Sequence, residues 1–513
     1  MPDDRISRRR FAGLSAAGMA GGALALHGAA RAAADADDWD PQRAPVVTGK
    51  PLRVQPVLMH TTFERREHAS WRSWGPINTP QAAAEEMARI DGELKTLAAG
   101  AGFPLEVLPL AKVTSVDEAA NVHRADYDVV MVYPATGSGT VLTACFAAKP
   151  EKDTLIFVRH QSGPLYYWYE ALSTRYLKKP TDEEVRRNSA RNHGGPTVHD
   201  AVVDDYAEVA WRLRALYALN NFIGQRIVAL GGAGGKYDPQ APAVAREKYA
   251  LEIIDTSYDD LAERFNRSKN DARLVARAEK RTETYLGLPG TKLVTEKRSV
   301  INAFLLYDIF KAWMREHEAP AFTIHGCMGR VLPIADTTPC MPLTWLNDEG
   351  LIGFCESDFV IVPCGVFLHY IAGTPVFMHN STFPHKGIVT CAHCSAPRRM
   401  DGEKYEPARI MTHYESDAGA APKVDMAVGR QVTFIDPEYA TGRWVGMKGV
   451  IRANPFHAIC RTQQDVEIQG DWRKLLYEVR DSHWMMVYGD HLKKIGYAAR
   501  KIGVDWVDIS GTV

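Results

Sequence analysis

The chain has 513 residues, of which 46% are hydrophobic and 24% charged, an ordinary globular composition. Lysine plus arginine (61) nearly cancel aspartate plus glutamate (62), which excludes an electrostatic case for nucleic acid or an anionic membrane as partner. A small neutral or weakly charged ligand fits this balance better.

The first residues read as a targeting segment and stand outside the fold. Ser7-Arg8-Arg9-Arg10-Phe11 matches the twin-arginine export consensus, and the stretch from Ala12 to Leu26 is apolar and rich in Gly and Ala. Ala30-Arg31-Ala32-Ala33-Ala34 then offers a small-x-small cleavage site, with an uncleaved N-terminal anchor as the competing reading. Residues 1–34 are thus expected to be a signal peptide and residues 35–50 a loose linker, with the mature protein in a bacterial periplasm. No later stretch approaches spanning length, so no membrane span is expected after cleavage. Seven of the eight cysteines lie between Cys327 and Cys460, inside apolar runs such as Gly353-Phe354-Cys355, which predicts mostly free, buried thiols.

From Leu52 onward strands and helices alternate. Strands are predicted at Val54 to Met59, Leu105 to Leu108, Val129 to Val132 and Thr154 to Val158, with an amphipathic helix from Gln81 to Ala98. A long helix from Asp204 to Asn221 leads into the strand Arg226 to Leu230. A second unit continues through the strand Leu251 to Ile254, helices Tyr258 to Phe265, Asp271 to Tyr285 and Ser299 to Glu316, and the strand Ala321 to Ile324. After Leu351 strands with aromatic and β-branched residues dominate, and turns such as Met400-Asp401-Gly402 recur. The predicted class is α/β, with two Rossmann-like α/β domains (51–215 and 216–345) followed by a β-rich C-terminal domain (346–513).

Several phrases can carry chemistry. Gly231-Gly232-Ala233-Gly234-Gly235 follows a strand and offers backbone N–H groups to a phosphate or sugar, but it is not G-x-G-x-x-G, and Tyr237-Asp238-Pro239 interrupts the helix that dinucleotide binding needs. A glycine-rich turn beside a substrate cleft is the alternative. Cys355-Glu356-Ser357-Asp358-Phe359 sets two carboxylates in an apolar stretch, where an acid must be paired, bind metal or cap a helix. His379-Asn380 ends an apolar strand, His393 lies in Cys391-Ala392-His393-Cys394, and His483 precedes a terminal helix; each is a metal ligand or a hydrogen-bonded core residue. His325-Gly326-Cys327-Met328, Arg330 and Thr412 to Asp417 are placed near a cleft, Asp200 at a helix cap, and Trp71, Trp74 and Tyr166-Tyr167-Trp168-Tyr169 either in the core or stacked on a sugar ring.

On this constellation the chain resembles the fucose isomerase/arabinose isomerase superfamily, most clearly from Pro320 to His393 and from Asp481 to the end. The resemblance implies the two-plus-one domain order and a divalent metal site, with Mn2+ the expected ion. The fucose isomerase pattern falls on Glu356, Asn380 and His483, and the arabinose isomerase pattern on Glu356, His379, His393 and His483. This chain departs from both in having His379-Asn380 where the families have a carboxylate, and an asparagine cannot serve as a base. Glu356 and Asn380 are the expected catalytic positions, and Glu356, Asn380, His379, His393 and His483 the expected metal shell.

The function expected from the resemblance is a metal-dependent isomerase, epimerase or lyase that abstracts a proton next to the carbonyl of a carbohydrate or keto-sugar derivative. The alternative is a periplasmic carbohydrate-binding protein that kept the fold and lost catalysis; a nicotinamide oxidoreductase rests on the glycine loop alone. A homo-oligomer, trimer or hexamer, is implied by the resemblance.

Overall fold

The strand β1 (Leu52–Met59) is buried at nearly every position, the pattern of a central strand covered on both faces. The computed structural model describes residues 39–166, 173, 175–179, 195–438 and 442–511; the export segment and Tyr167-Trp168-Tyr169 lie outside them. The chain divides after Arg43, and of the first unit Trp39 to Arg43 are described, in a turn where Arg43 N–H donates to Asp40 C=O (3.1 Å).

In the larger unit β1 pairs in parallel with β2 (Leu105–Val107), β3 (Ala111–Val113) and β4 (Val129–Pro134). With β5 (Asp153–Val158) and β6 (Ala201–Val203) the sheet runs in the order β2-β1-β4-β5-β6. The helix Pro80–Ala99 covers it; the Thr79 side chain caps its start, and Ala83, Glu86, Ile90 and Leu94 form its buried stripe. The chain then builds β7 (Arg226–Leu230) and β8 (Glu252–Thr256), sends β9 (Thr291–Leu293) to a separate small sheet, and returns with β10 (Ala321–Ile324) and β11 (Ile352–Phe354). The second parallel sheet has the order β11-β10-β7-β8. Connections leave β7 and β10 in opposite directions, so a crevice opens at their carboxyl ends, where sheets of this kind bind ligands.

The rest of the chain is mostly antiparallel. After β12 (Phe377–Ser381) and β13 (Ile388–His393), β14 (Ala408–Met411) and β15 (Ala421–Val424) complete the small sheet with β9. Then β16 (Gln431–Pro437), β17 (Arg443–Ala453), β18 (Thr462–Gln469) and β19 (His483–Tyr488) join β12 and β13 in the order β16-β19-β12-β13-β18-β17, and the β16–β17 pairing closes a barrel. β20 (Asp505–Asp508) adds to β17 in parallel.

The two parallel sheets and the β-rich end appear in the predicted order, but the boundaries do not separate packing units. The helix Tyr206–Phe222 runs across residue 215, and β11 lies beyond residue 345 yet pairs with β10. The reason is one continuous core: Leu52 and Val54 of β1, Phe222, Phe367 of the helix Val362–Ala372, and Met485 and Val487 of β19 belong to a single buried cluster. Residues 44–50 are also tied down, with Val46 N–H on Glu349 C=O and Lys50 N–H on Asn221 Oδ1, both 2.7 Å. Among the described residues no helix is long and apolar enough to cross a membrane. All eight cysteines are free thiols.

Lys501, at the end of the helix Leu492–Lys501, binds the C-terminal region to the first sheet. Its Nζ is 3.1 Å from Asp153 Oδ1 and 2.8 Å from Asp200 Oδ1, and Tyr497 OH donates to Asp200 Oδ1 (2.6 Å). Burial alone would raise the Asp200 carboxyl, but the Lys501 charge and the hydrogen bonds hold it below the usual range. Asp200 also caps its own turn through Thr197. Lys501→Met leaves this carboxylate buried without its cation, and a loss of about 3–5 kcal/mol is expected, read as a lower guanidinium unfolding midpoint by tryptophan fluorescence.

Candidate metal centre

β11 ends at Phe354, and the chain turns through Cys355-Glu356-Ser357-Asp358 at the carboxyl edge of the second sheet. Glu356 (φ 66°) and Ser357 (φ 47°) are both in the left-handed region, which costs a residue with a side chain about 1–3 kcal/mol. The loop after β7 holds them there. Gly234 N–H donates to Ser357 C=O (3.0 Å), Phe359 N–H to Gly234 C=O (2.8 Å) and Ser357 Oγ to Gly232 C=O (2.8 Å). Gly231 (φ 81°) starts that loop, and a Cβ there would lie 2.6 Å from the Tyr258 ring. The glycine run thus clamps the acidic turn, and Gly234 N–H is already taken rather than free for a phosphate.

The turn sends its two acids in different directions. Asp358 points into the protein, 1% exposed; its Oδ1 accepts from Lys236 N–H (3.0 Å) and Val360 N–H (3.2 Å). Its Oδ2 lies 2.9 Å from His483 Nδ1. Glu356 keeps a third of its side chain exposed and faces two imidazoles, with His483 Nε2 3.3 Å from Oε2 and His393 Nε2 3.6 Å from Oε1. His393 Nδ1 in turn rests 3.0 Å from Ser395 Oγ. Both rings are therefore held through Nδ1 and present Nε2 to the same carboxylate, the way metal-binding histidines are oriented by partners behind them. One ligand atom from each of Glu356, His393 and His483 lies within 4.8 Å of the others, a group able to hold a metal ion.

The charges couple. Burial works against a charged His483, but its hydrogen bonds to Asp358 and Glu356 outweigh it and push the imidazole up to about 9. Burial would raise Glu356, yet the hydrogen bonds and charges of His393 and His483 hold it far below the usual carboxylate range.

Three of the five expected metal-shell residues, Glu356, His393 and His483, thus come together from the turn after β11, from β13 and from β19. Asn380 on β12 is the register partner of both Ala392 and His483, so its side chain shares the face of those two residues. His379 is not brought into the group. Its ring packs among Phe377, Phe434 and Trp484, and burial lowers it to about 3, a neutral histidine of the core. Two residues outside the expected shell belong here: Asp358, noted in sequence only as one of two acids in an apolar run, and Lys236. The Lys236 Nζ is 3.2 Å from Glu356 Oε2 and 3.4 Å from His483 Nε2. The available signal was position alone, a basic residue closing a glycine-rich loop at a strand's carboxyl end.

The remaining phrases sort by burial. His325 follows β10 at the same sheet edge, its N–H on Leu230 C=O (2.8 Å), and His413 lies beside Cys394, the neighbour of His393. Tyr166 is core, its OH on Glu86, whereas Trp74 is exposed. No protein-family model matches this chain, and no curated protein matches it.

The geometry fixes a pH response of the metal-free protein. The folded chain keeps on His483 a proton that the unfolded chain releases near pH 6.5, so this stabilisation is full below about pH 6.5 and lost as pH rises through about 9. About 3 kcal/mol is expected to disappear across that window, measured by denaturant unfolding at successive pH values. The His483 ring resonance in metal-free protein should titrate near pH 9 by NMR, and Asp358→Asn should bring it down.

Proposed function

We propose that this chain is a divalent-metal-dependent enzyme that moves a proton next to the carbonyl of a carbohydrate or keto-sugar derivative, after export to the periplasm by the twin-arginine route. The observation that carries this reading is the convergence of Glu356, His393 and His483 at the sheet edge, with both imidazoles oriented through Nδ1. One carboxylate and two imidazole nitrogens make a mixed O/N donor set that suits Mn2+ or another first-row divalent ion, and Asn380 is the register partner of one of the two histidines. Manganese is the ion proposed. The histidines are buried and Glu356 is partly exposed, so the donor set is closed on the protein side and open on the side of the crevice.

A bound divalent ion supplies Lewis acidity, which makes the C–H beside a chelated carbonyl acidic. Glu356 takes that proton at a carboxylate oxygen. Returned to the former carbonyl carbon, with the hydroxyl proton passing to the former carbonyl oxygen, it completes an isomerisation; returned to the other face of the same carbon, an epimerisation; departure of a β-substituent with its bonding electrons makes the reaction an elimination. Asn380 cannot share this work as a base, so its amide positions a substrate or ligand oxygen, and Glu356 carries the proton. The sugar-like substrate and a trimer or hexamer are proposed from the resemblance to the fucose/arabinose isomerase superfamily.

The test begins with metal analysis of the exported protein and continues with deuterium uptake from D2O into a panel of free sugars and 3-keto-sugars. Bound Mn2+ is expected, with exchange reduced on the order of 100-fold or more in Glu356→Gln. Tight sugar binding without exchange in the wild type makes the chain a periplasmic carbohydrate-binding protein instead. Failure to bind any divalent ion overturns the centre itself.

A further inference from the structure

Lys236 stands directly in front of the two donor atoms that matter most. Its Nζ is 3.2 Å from Glu356 Oε2 and 3.4 Å from His483 Nε2, and those two atoms are 3.3 Å from one another. The three atoms form a nearly equilateral triangle. A divalent ion bonding Oε2 and Nε2 from the side of Lys236 would need the space the ammonium fills, and from any side it carries charge of the same sign. The two cations compete for one seat.

The placement is built in. The backbone N–H of Lys236 donates to Asp358 Oδ1 (3.0 Å), and the loop that carries it is clamped to the Glu356–Asp358 turn by Gly232 and Gly234. Its Cα is therefore fixed beside the centre whichever way the side chain points. A third of that side chain is exposed, so leaving the seat costs little packing. A second resting place adjoins, because the Tyr237 ring, 70% exposed, has its centroid 5.9 Å from Nζ, within reach of a cation–π contact.

We propose that Lys236 is a resident occupant of this centre, a tethered ammonium that a divalent ion must displace, and that it sets the threshold for metal loading. The inference rests on the metal reading of Glu356, His393 and His483 and adds to it a competitor supplied by the chain. It also gives the Glu356 carboxylate an ammonium partner alongside the two imidazoles whenever no ion is present.

The experiment is an equilibrium titration of metal-stripped full-length mature protein with Mn2+, free ion being followed by its EPR signal. Wild type is compared with Lys236→Met, which keeps length and removes charge, with Lys236→Gln as a second neutral variant in case the first misfolds. Lys236→Arg keeps a cation. Both neutral variants are expected to bind Mn2+ on the order of tenfold more tightly than wild type, and the arginine variant no more tightly. Equal affinity in wild type and the neutral variants overturns the competitor role while leaving the metal centre standing. Weaker binding in a folded neutral variant overturns it too, making Lys236 a support of the site. Absence of binding in all four proteins marks the failure of the metal reading itself.

Discussion

Glu356 and Ser357 are held at positive φ by hydrogen bonds to and from the loop that follows β7, and the two sides of that contact come from strands separated in sequence by the whole second sheet. Each strained residue costs about 1–3 kcal/mol, comparable with what the three clamping bonds return at about 0.5–1.5 kcal/mol each. The strain has a geometric product. A regular strand would carry Glu356 and Asp358 to one face. The left-handed turn instead aims Asp358 inward beneath His483 and leaves Glu356 at the mouth of the crevice. One acid holds the His483 ring and the other stays partly exposed beside it.

The barrel supplies the other half. β12 lies between β13 and β19, so the row holding Asn380, Ala392 and His483 is set by backbone pairing before any side chain is considered. His483 opens β19 and His393 closes β13, which puts both at strand ends near the edge of the parallel sheet. The centre is therefore also a joint. A buried Asp358 requires the His483 ring, and that ring belongs to a different sheet from the turn it stabilises. Functional geometry and the docking of barrel on sheet are one set of contacts.

Much of this was legible in sequence because it depends on local periodicity. The strand at Ala321–Ile324 and the alternation up to it follow from hydrophobic pattern, and Glu356 stands out because a carboxylate in an apolar run needs an explanation. The helix Val362–Ala372 was not, since every position but its last is buried and an unbroken apolar run has no period. His379 and His393 look alike in sequence, each closing an apolar strand. Only the barrel separates them, by wrapping His379 in Phe377, Phe434 and Trp484. Lys236 and the true role of Asp358 depend on a contact between residues more than a hundred positions apart, which no local pattern records. The core that runs through both sheets and the barrel is likewise a long-range feature that local pattern does not record.

The asparagine at 380 acquires a reason from the charges around it. Glu356 Oε2 has the Lys236 ammonium at 3.2 Å and His483 Nε2 at 3.3 Å, and Asp358 Oδ2 lies 2.9 Å from the other nitrogen of the same ring. An aspartate at 380, paired in register with His483, would bring a third carboxylate to a region whose walls are mostly buried. The amide keeps an oxygen donor at that position without the charge. Lys236 and Asn380 act in the same sense: one sets a cation against Glu356, and the other adds no further carboxylate.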